Sequence, residues 1–364
     1  MKLPVLLPLL CAAALLDAAP AGEPVSPMEA AAGIGDATGR AGMAAVVLPA
    51  DAAHPKAPRV WGGGANFPHA KPGAQTPEER GEKVFYSDVE GRVDAQTPPA
   101  SGQLTRPIGY AAFVPTDKGM LVAGGCNAEG HTAKVNRVDW VDGELRVEAL
   151  PDLPRSVAYP AFAIVGQRVY VLGGQENADS TTCLNTCFML NLADVNAGWQ
   201  EVAPMPGARM LAAAGVLDGV IYVMGGCSLA PDAQGNGQRT YLRDVLCYDP
   251  DSDIWAKVAT EMPDTNVGMA NPLPVLNGKL YVVGGDPGHF YRASLAGQAP
   301  AVHPGQSKDV YSYTPATGEW KKEGELPVGV ATMPAIVVDG IIYTISGETH
   351  PGVRTPKINI INVK

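Results

Sequence analysis

Near its C-terminus the chain runs Ser346-Gly347-Glu348-Thr349-His350-Pro351-Gly352-Val353-Arg354-Thr355-Pro356. Glu348 and Arg354 stand six residues apart across a Pro-Gly pair, and a turn at that pair brings a carboxylate beside a guanidinium. A free glutamate titrates at about 4.3, so Glu348 can serve as a base without adjustment, and burial would raise that value. Arginine keeps its charge and presents a planar fork that fits both oxygens of an anion. The run fills a slot where five earlier segments carry plain glycines, so the pair replaces a repeat feature instead of decorating one.

Those five segments define the elements that must position it. Each copy reads as an apolar strand, a turn, a second β-rich strand and a Gly-Gly step. The glycines are Gly62-Gly63-Gly64, Gly124-Gly125, Gly173-Gly174, Gly225-Gly226 and Gly284-Gly285, with Ser346-Gly347 closing the sixth copy. The strands leading into them include Met120–Ala123, Val169–Leu172, Ile221–Met224, Leu280–Val283 and Ile341–Ile345. A third strand follows each pair, and a fourth carries Trp199, Trp255 or Trp320 after turn-rich residues. The spacing of roughly 50 to 60 residues is that of propeller blades of the kelch type. The expected fold is therefore all-β: a single six-bladed kelch-type β-propeller over residues 22–364. The chain ends on the third strand of blade six, so a strand from Gly22–Gly39 is expected to complete that blade and close the ring. Longer insertions follow the glycines in blades one, four and five, the last spanning Pro287–Lys308.

Alternating strand direction puts the loops after Gly-Gly on the same face as the connections into the next blade. Near the axis of that face the sequence gathers Glu348, Arg354, Asn66, Asn127, Arg106, Arg155, Arg209 and Asn266. Glu348 and Arg354 are the expected catalytic pair. Arg106, Arg155, Arg209, Asn66 and Asn127 are the expected substrate-binding set.

The bulk numbers limit what this face can meet. With 27 Lys+Arg against 37 Asp+Glu the net charge is −10, which argues against nucleic acid and anionic membranes as partners. The 42 glycines, 33 prolines and 18% charged residues suit short strands joined by turns. Lys2, the apolar run Leu3–Leu16 and Ala19-Pro20-Ala21 read as a secretory signal over residues 1–21, so the expected location is periplasmic or secreted. No later stretch is long and apolar enough to span a bilayer. Of the five cysteines beyond the signal, Cys183 and Cys187 are close enough in sequence to pair in an oxidising compartment. The six histidines show no ligand-like spacing, so neither metal nor cofactor is expected.

The run Gly347–Thr355, Gly-Glu-x-x-Pro-Gly-x-Arg-Thr, resembles the catalytic motif of the kelch-type N-acetylneuraminate epimerases, the bacterial sialic acid mutarotases. Gly63-Gly64-Ala65-Asn66-Phe67-Pro68 followed by Val84–Asp88 is similar to the next blade of that family. Here these are the last and first blades, as in a cyclically permuted form. The resemblance implies activity at Glu348 and Arg354, a small acidic sugar as partner and no cofactor. It implies interconversion of α- and β-anomers by ring opening, with one group deprotonating the anomeric hydroxyl while another protonates the ring oxygen. A propeller that binds a glycan or protein without turnover is the main alternative. A sialidase would need Ser-x-Asp-x-Gly-x-Thr-Trp boxes, which are absent, and a kelch copper oxidase would need ligand-spaced histidines and seven blades.

Overall fold

A computed structural model describes residues 39–50, 57–70, 76–94 and 97–363. Six small antiparallel sheets follow one another along the chain, and in each of the first five the strands pair in chain order within a four-stranded blade. Blade one is Ala44–Val47, Arg59–Gly62, Asp88–Arg92 and Ala100–Gln103. Blade six is Ala335–Val338, Ile341–Ile345 and Ile358–Asn362. The fold is a six-bladed β-propeller. The strand expected to complete blade six falls outside the described residues apart from Gly39, as does the signal segment.

The inner two strands of each blade are apolar almost throughout, because they are covered on both faces by neighbouring blades. Val60, Ala112, Val114, Met120, Leu121 and Val169 are all buried in one cluster shared by blades one to three. At the seam between the last blade and the first, Ile336, Tyr343 and Ile345 pack on Met43, Ala45 and Trp61. The fourth-strand tryptophans reach back to the preceding blade. Trp199 Nε1 donates to the Pro151 carbonyl at 3.0 Å and Trp255 Nε1 to that of Ala203 at 2.8 Å.

Two rings of backbone hydrogen bonds tie the blades together. In the outer ring the second residue of each glycine pair donates to a carbonyl of the next blade: Gly64 to Ile108, Gly125 to Val157, Gly174 to Arg209, Gly226 to Asn266, Gly285 to Val330, and Gly347 to Arg40. The last of these closes the ring. In the inner ring Gly42, Thr332, Gly268, Leu211, Tyr159 and Tyr110 each donate to the next and return to Gly42, over 2.5–2.9 Å. All six residues lie at positive φ, between 53° and 61°. For Tyr110, Tyr159, Leu211 and Thr332 that left-handed backbone costs roughly 1–2 kcal/mol each, and the closed ring of bonds holds it in place.

The outer ring explains the glycines. Gly225 lies at φ 59°, and a Cβ there would stand 2.5 Å from the Asn266 carbonyl oxygen that the next residue must bond. Ser346 occupies the same left-handed slot at φ 61°. Its Oγ accepts from Arg40 N–H at 2.6 Å and lies 2.8 Å from the carbonyl oxygens of Arg40 and Thr355, so the side chain bonds what a plain methyl would crowd.

One expectation fails on geometry. Cys183 and Cys187 are four residues apart along nearly straight strand, about 13 Å at 3.3 Å per residue, and cannot pair. Both are free and buried, as are Cys126 and Cys227. Burial pushes the Cys183 thiol up to about 11 and the Cys187 thiol up to about 12.

A carboxylate-guanidinium site on the axial face

Each blade presents the residue after its glycine pair to the axis. Six isolated bridges fix these positions: Ala41 to Ala65, Gly109 to Cys126, Ala158 to Gln175, Met210 to Cys227, Val267 to Asp286, and Ala331 to Glu348. The connections into each inner strand and the loops after Gly-Gly therefore share a face, as the alternation of strands requires. In blade six the loop becomes a ribbon, Glu348–His350 paired with Val353–Arg354, in which Glu348 faces Arg354 directly. Gly352 makes the turn at φ 82°, and its N–H donates to Glu348 Oε2 at 3.3 Å.

Arg354 Nη1 is in direct contact with Glu348 Oε2, and the two side chains are 3% and 19% exposed. The other donors of the guanidinium are also engaged: Nε with the Ala65 carbonyl at 3.3 Å and Nη2 with Tyr110 Oη at 3.1 Å. The Phe67 ring lies 5.3 Å away. Burial lowers the Arg354 pKa below the usual arginine value, and Tyr110 opposes that shift. Burial also raises the Tyr110 hydroxyl, so it stays protonated between the guanidinium and the axis. What results is a carboxylate fixed against a guanidinium, beside a floor of left-handed residues whose rings touch: Tyr110 and Tyr159 centroids are 5.1 Å apart.

From Tyr159 the floor continues into a cavity of about 540 Å³ between the loops of blades three and four. That is within the ~300–1,000 Å³ range of ordinary ligand pockets. Its polar lining includes Gln175, Ser180, Thr181 and Arg239. Arg239 comes from the blade-four ribbon Cys227–Pro231 and Gly237–Tyr241. Tyr241 at the end of that ribbon donates to Asp286 Oδ2 at 2.8 Å. The blade-five insertion, which contains the helix His289–Leu295, packs onto the Glu348 ribbon: Gln306 N–H donates to the Thr349 carbonyl at 2.9 Å, and the rings of His303 and His350 are 6.1 Å apart. Arg80 of the blade-one insertion donates to the Pro351 carbonyl at 3.1 Å from the other side.

The remaining expected residues separate. Asn66 is buried, its Oδ1 accepting from Phe67 N–H at 2.6 Å, which shapes the loop beside Arg354. Asn127 caps its own ribbon by accepting from Glu129 N–H at 2.9 Å. Arg106 and Arg155 lie partly exposed on the rim, 3.9 Å from Glu129 and 3.7 Å from Glu176. Arg209 is not offered to a ligand. It is 2% exposed, binds Asp244 through both nitrogens at 2.8 and 3.0 Å, and donates to the Gly225 carbonyl at 3.1 Å. Arg40 does the same in blade one with Asp88 at 2.9 Å and the Gly63 carbonyl at 3.1 Å. This is a strut of the repeat. Asn266 stands in the corresponding place and donates to the Gly284 carbonyl at 2.7 Å.

Sequence reasoning missed Lys83, Tyr110, Tyr159 and Arg239. For the tyrosines a signal exists: each stands two residues before an inner strand, in Gly109-Tyr110-Ala111 and Ala158-Tyr159-Pro160, the slot that forms the inner ring. Lys83 and Arg239 lie at the returning strands of ribbons whose length and sequence differ from blade to blade.

Comparison with known proteins bears on this site. The family model for N-acetylneuraminate epimerase matches residues 150–301. An N-acetylneuraminate epimerase of Yersinia enterocolitica is 30% identical over 234 residues, 58% of this chain and 57% of that protein. One from Pasteurella multocida is 31% identical over 230 residues, 57% of each. One from Haemophilus influenzae is 28% identical over 229 residues, 57% of this chain and 58% of that protein. Over the matched stretches the chain is similar to the N-acetylneuraminate epimerases. It spans a little over half the length of the curated epimerases it matches. A solved structure titled "Structure of YjhT" superposes on 59% of this chain and 64% of its own with 24% identity and a TM-score of 0.47. The stretch matched by the epimerase model covers blades three and four and the start of blade five, including the Arg239 ribbon. Blade one and the Glu348 ribbon lie outside it.

Proposed function

We propose that this protein is a mutarotase for N-acetylneuraminate or a closely related acidic sugar. The observation that carries the reading is the Glu348 carboxylate, held by Arg354 and the Gly352 N–H at the rim of an aromatic axial floor. The sugar class comes from the printed names of the relatives, and the residue roles from the geometry together with the Glu-to-Arg motif.

The chemistry needs little more. In the closed sugar the anomeric carbon carries a hydroxyl, a carboxylate and the ring oxygen. Glu348 takes the hydroxyl proton, the bond from the anomeric carbon to the ring oxygen breaks, and the ring oxygen is protonated by a second group. Rotation about the adjacent carbon–carbon bond presents the other face of the new ketone, and reclosure runs the same transfers backwards. No proton or electron is consumed. Each positioned transfer contributes ~10²–10⁴ in rate. Arg354 fixes Glu348 in place and puts positive charge beside the sugar's carboxylate. The sugar lies across Tyr110 and Tyr159, with its hydroxylated tail toward Gln175, Ser180, Thr181 and Arg239. Arg106 and Arg155 are rim cations whose long contacts an anionic ligand can displace. The reading places the protein in the periplasm or outside the cell, where free sialic acid released as the α-anomer would meet it.

NMR exchange between the anomers tests the proposal. Purified protein should accelerate α/β interconversion of N-acetylneuraminate. A protein that binds the sugar without accelerating exchange would instead be a glycan-binding propeller.

A further inference from the structure

Ring opening requires a proton donor as well as a base, and Glu348 supplies only the base. The side chains around it narrow the choice. Each guanidinium nitrogen of Arg354 already has a neighbour, and an arginine does not give up its proton. Tyr110, Tyr159 and Cys126 are each pushed up by burial. His131 has its Nδ1 against the Gln175 carbonyl at 3.1 Å. Lys83 is left. It immediately precedes Val84–Phe85, the returning strand of the blade-one ribbon, paired with Ala65–Asn66. Its Nζ stands 4.4 Å from the centre of the Tyr110 ring and 4.9 Å from that of Phe85. Tyr110 in turn accepts from Arg354, so the ammonium lies one aromatic ring away from the carboxylate-guanidinium pair. Among the described residues Lys83 makes no hydrogen bond or ion pair. Burial strips water from this ammonium, and the two aromatic faces return part of that loss.

We propose that Lys83 is the second proton-transfer group of this site, protonating the ring oxygen while Glu348 deprotonates the anomeric hydroxyl. The inference rests on the mutarotase reading. On opening, the Lys83 ammonium gives a proton to the ring oxygen as the bond to the anomeric carbon breaks. On reclosure the neutral amine takes the proton back from that hydroxyl as its oxygen attacks the ketone, and the Glu348 carboxylic acid returns a proton to the carbonyl oxygen. The groups that face Lys83 are Tyr110 and Cys126 of blade two and Arg354 of blade six. Burial pushes the lysine down to about 8, Cys126 opposes the shift and Arg354 adds to it. An amine titrating near the working pH can both give and take a proton, which a guanidinium cannot.

Two variants separate proton transfer from simple charge. Lys83→Met should lower kcat by ~10²–10⁴. Lys83→Arg keeps a positive charge at every working pH, so it should keep KM near the wild-type value while kcat falls as far as in K83M. The wild-type kcat should decline as pH rises through about 8, and that limb should be absent from the residual activity of K83R. A K83R protein with wild-type kcat and an unchanged pH limb would overturn the inference and leave Lys83 as a fixed charge for the carboxylate. Glu348→Gln is run alongside. If E348Q is inactive and K83R is fully active, the inference fails and the mutarotase reading stands. If E348Q is as fast as wild type, the reading fails first.

Discussion

Arg354 does three jobs with one planar group: it contacts Glu348, bonds the Ala65 carbonyl and bonds Tyr110. A lysine could place a charge there but could not reach all three partners. Arg354→Lys should therefore fold and still lose roughly 10²-fold in exchange rate, by misplacing Glu348. Arg209 has the opposite character. Arg209→Ala leaves Asp244 without its partner in a buried wall, and should cost ~3–5 kcal/mol of stability with KM of the remaining folded protein nearly unchanged. Its pH signature has a definite sign. Burial alone would raise the Asp244 carboxyl, yet the bonds and charge of Arg209 hold it below the usual range. A depressed carboxylate stabilises above its unfolded pKa of about 3.9 and loses that contribution as pH falls through the native value. The wild-type advantage over R209A in thermal unfolding should therefore be full at neutral pH and shrink on acidification below about 4. Glu348 and Arg354 were legible in the sequence because a departure from a repeat is itself a sequence event. The inward turn of Arg209 was not: nothing in Met205-Pro206-Gly207-Ala208-Arg209 says which way the side chain points, and only its match with Arg40 on Asp88 reveals the strut. Lys83 was illegible for a different reason, since the insertion that precedes it, His69–Glu82, has a length and sequence that no other blade repeats.

At the scale of elements, the site depends on the ribbon that follows Ser346-Gly347, the blade-six counterpart of the ribbons in blades one, two and four. Ser346 ties its base to the backbone of Arg40 and Thr355. Ser346→Ala would keep a left-handed non-glycine residue and remove the buried hydroxyl that accepts from Arg40 N–H and lies 2.8 Å from two carbonyl oxygens. The expected loss is ~1–3 kcal/mol, read by thermal or denaturant unfolding, with a larger effect on exchange rate than a surface change of equal cost. The strand order and the glycine turns could be read from periodicity, because alternating burial and left-handed backbone impose residue types. The insertion Pro287–Lys308 could not, since a single helix and a few aromatic contacts leave no period. Its placement against His350 and Thr349 emerges only from the packed structure.

For the whole molecule, closure of the ring is what brings blade six, which carries Glu348 and Arg354, beside blade one with Lys83 and blade two with Tyr110. Loosening the seam should therefore damage stability and chemistry together. Tyr343→Ala, which empties a buried site facing Met43 and Trp61, should cost ~3–5 kcal/mol and lower exchange in parallel. An equally large cavity between blades three and four, far from that seam, should cost stability with less effect on rate. The most direct check of the central claim is NMR exchange spectroscopy on the anomers of N-acetylneuraminate, with wild type and Glu348→Gln at equal concentration. The account predicts fast interconversion with the first and near-background exchange with a well-folded second. Equal acceleration by both proteins, or none by either, would contradict it.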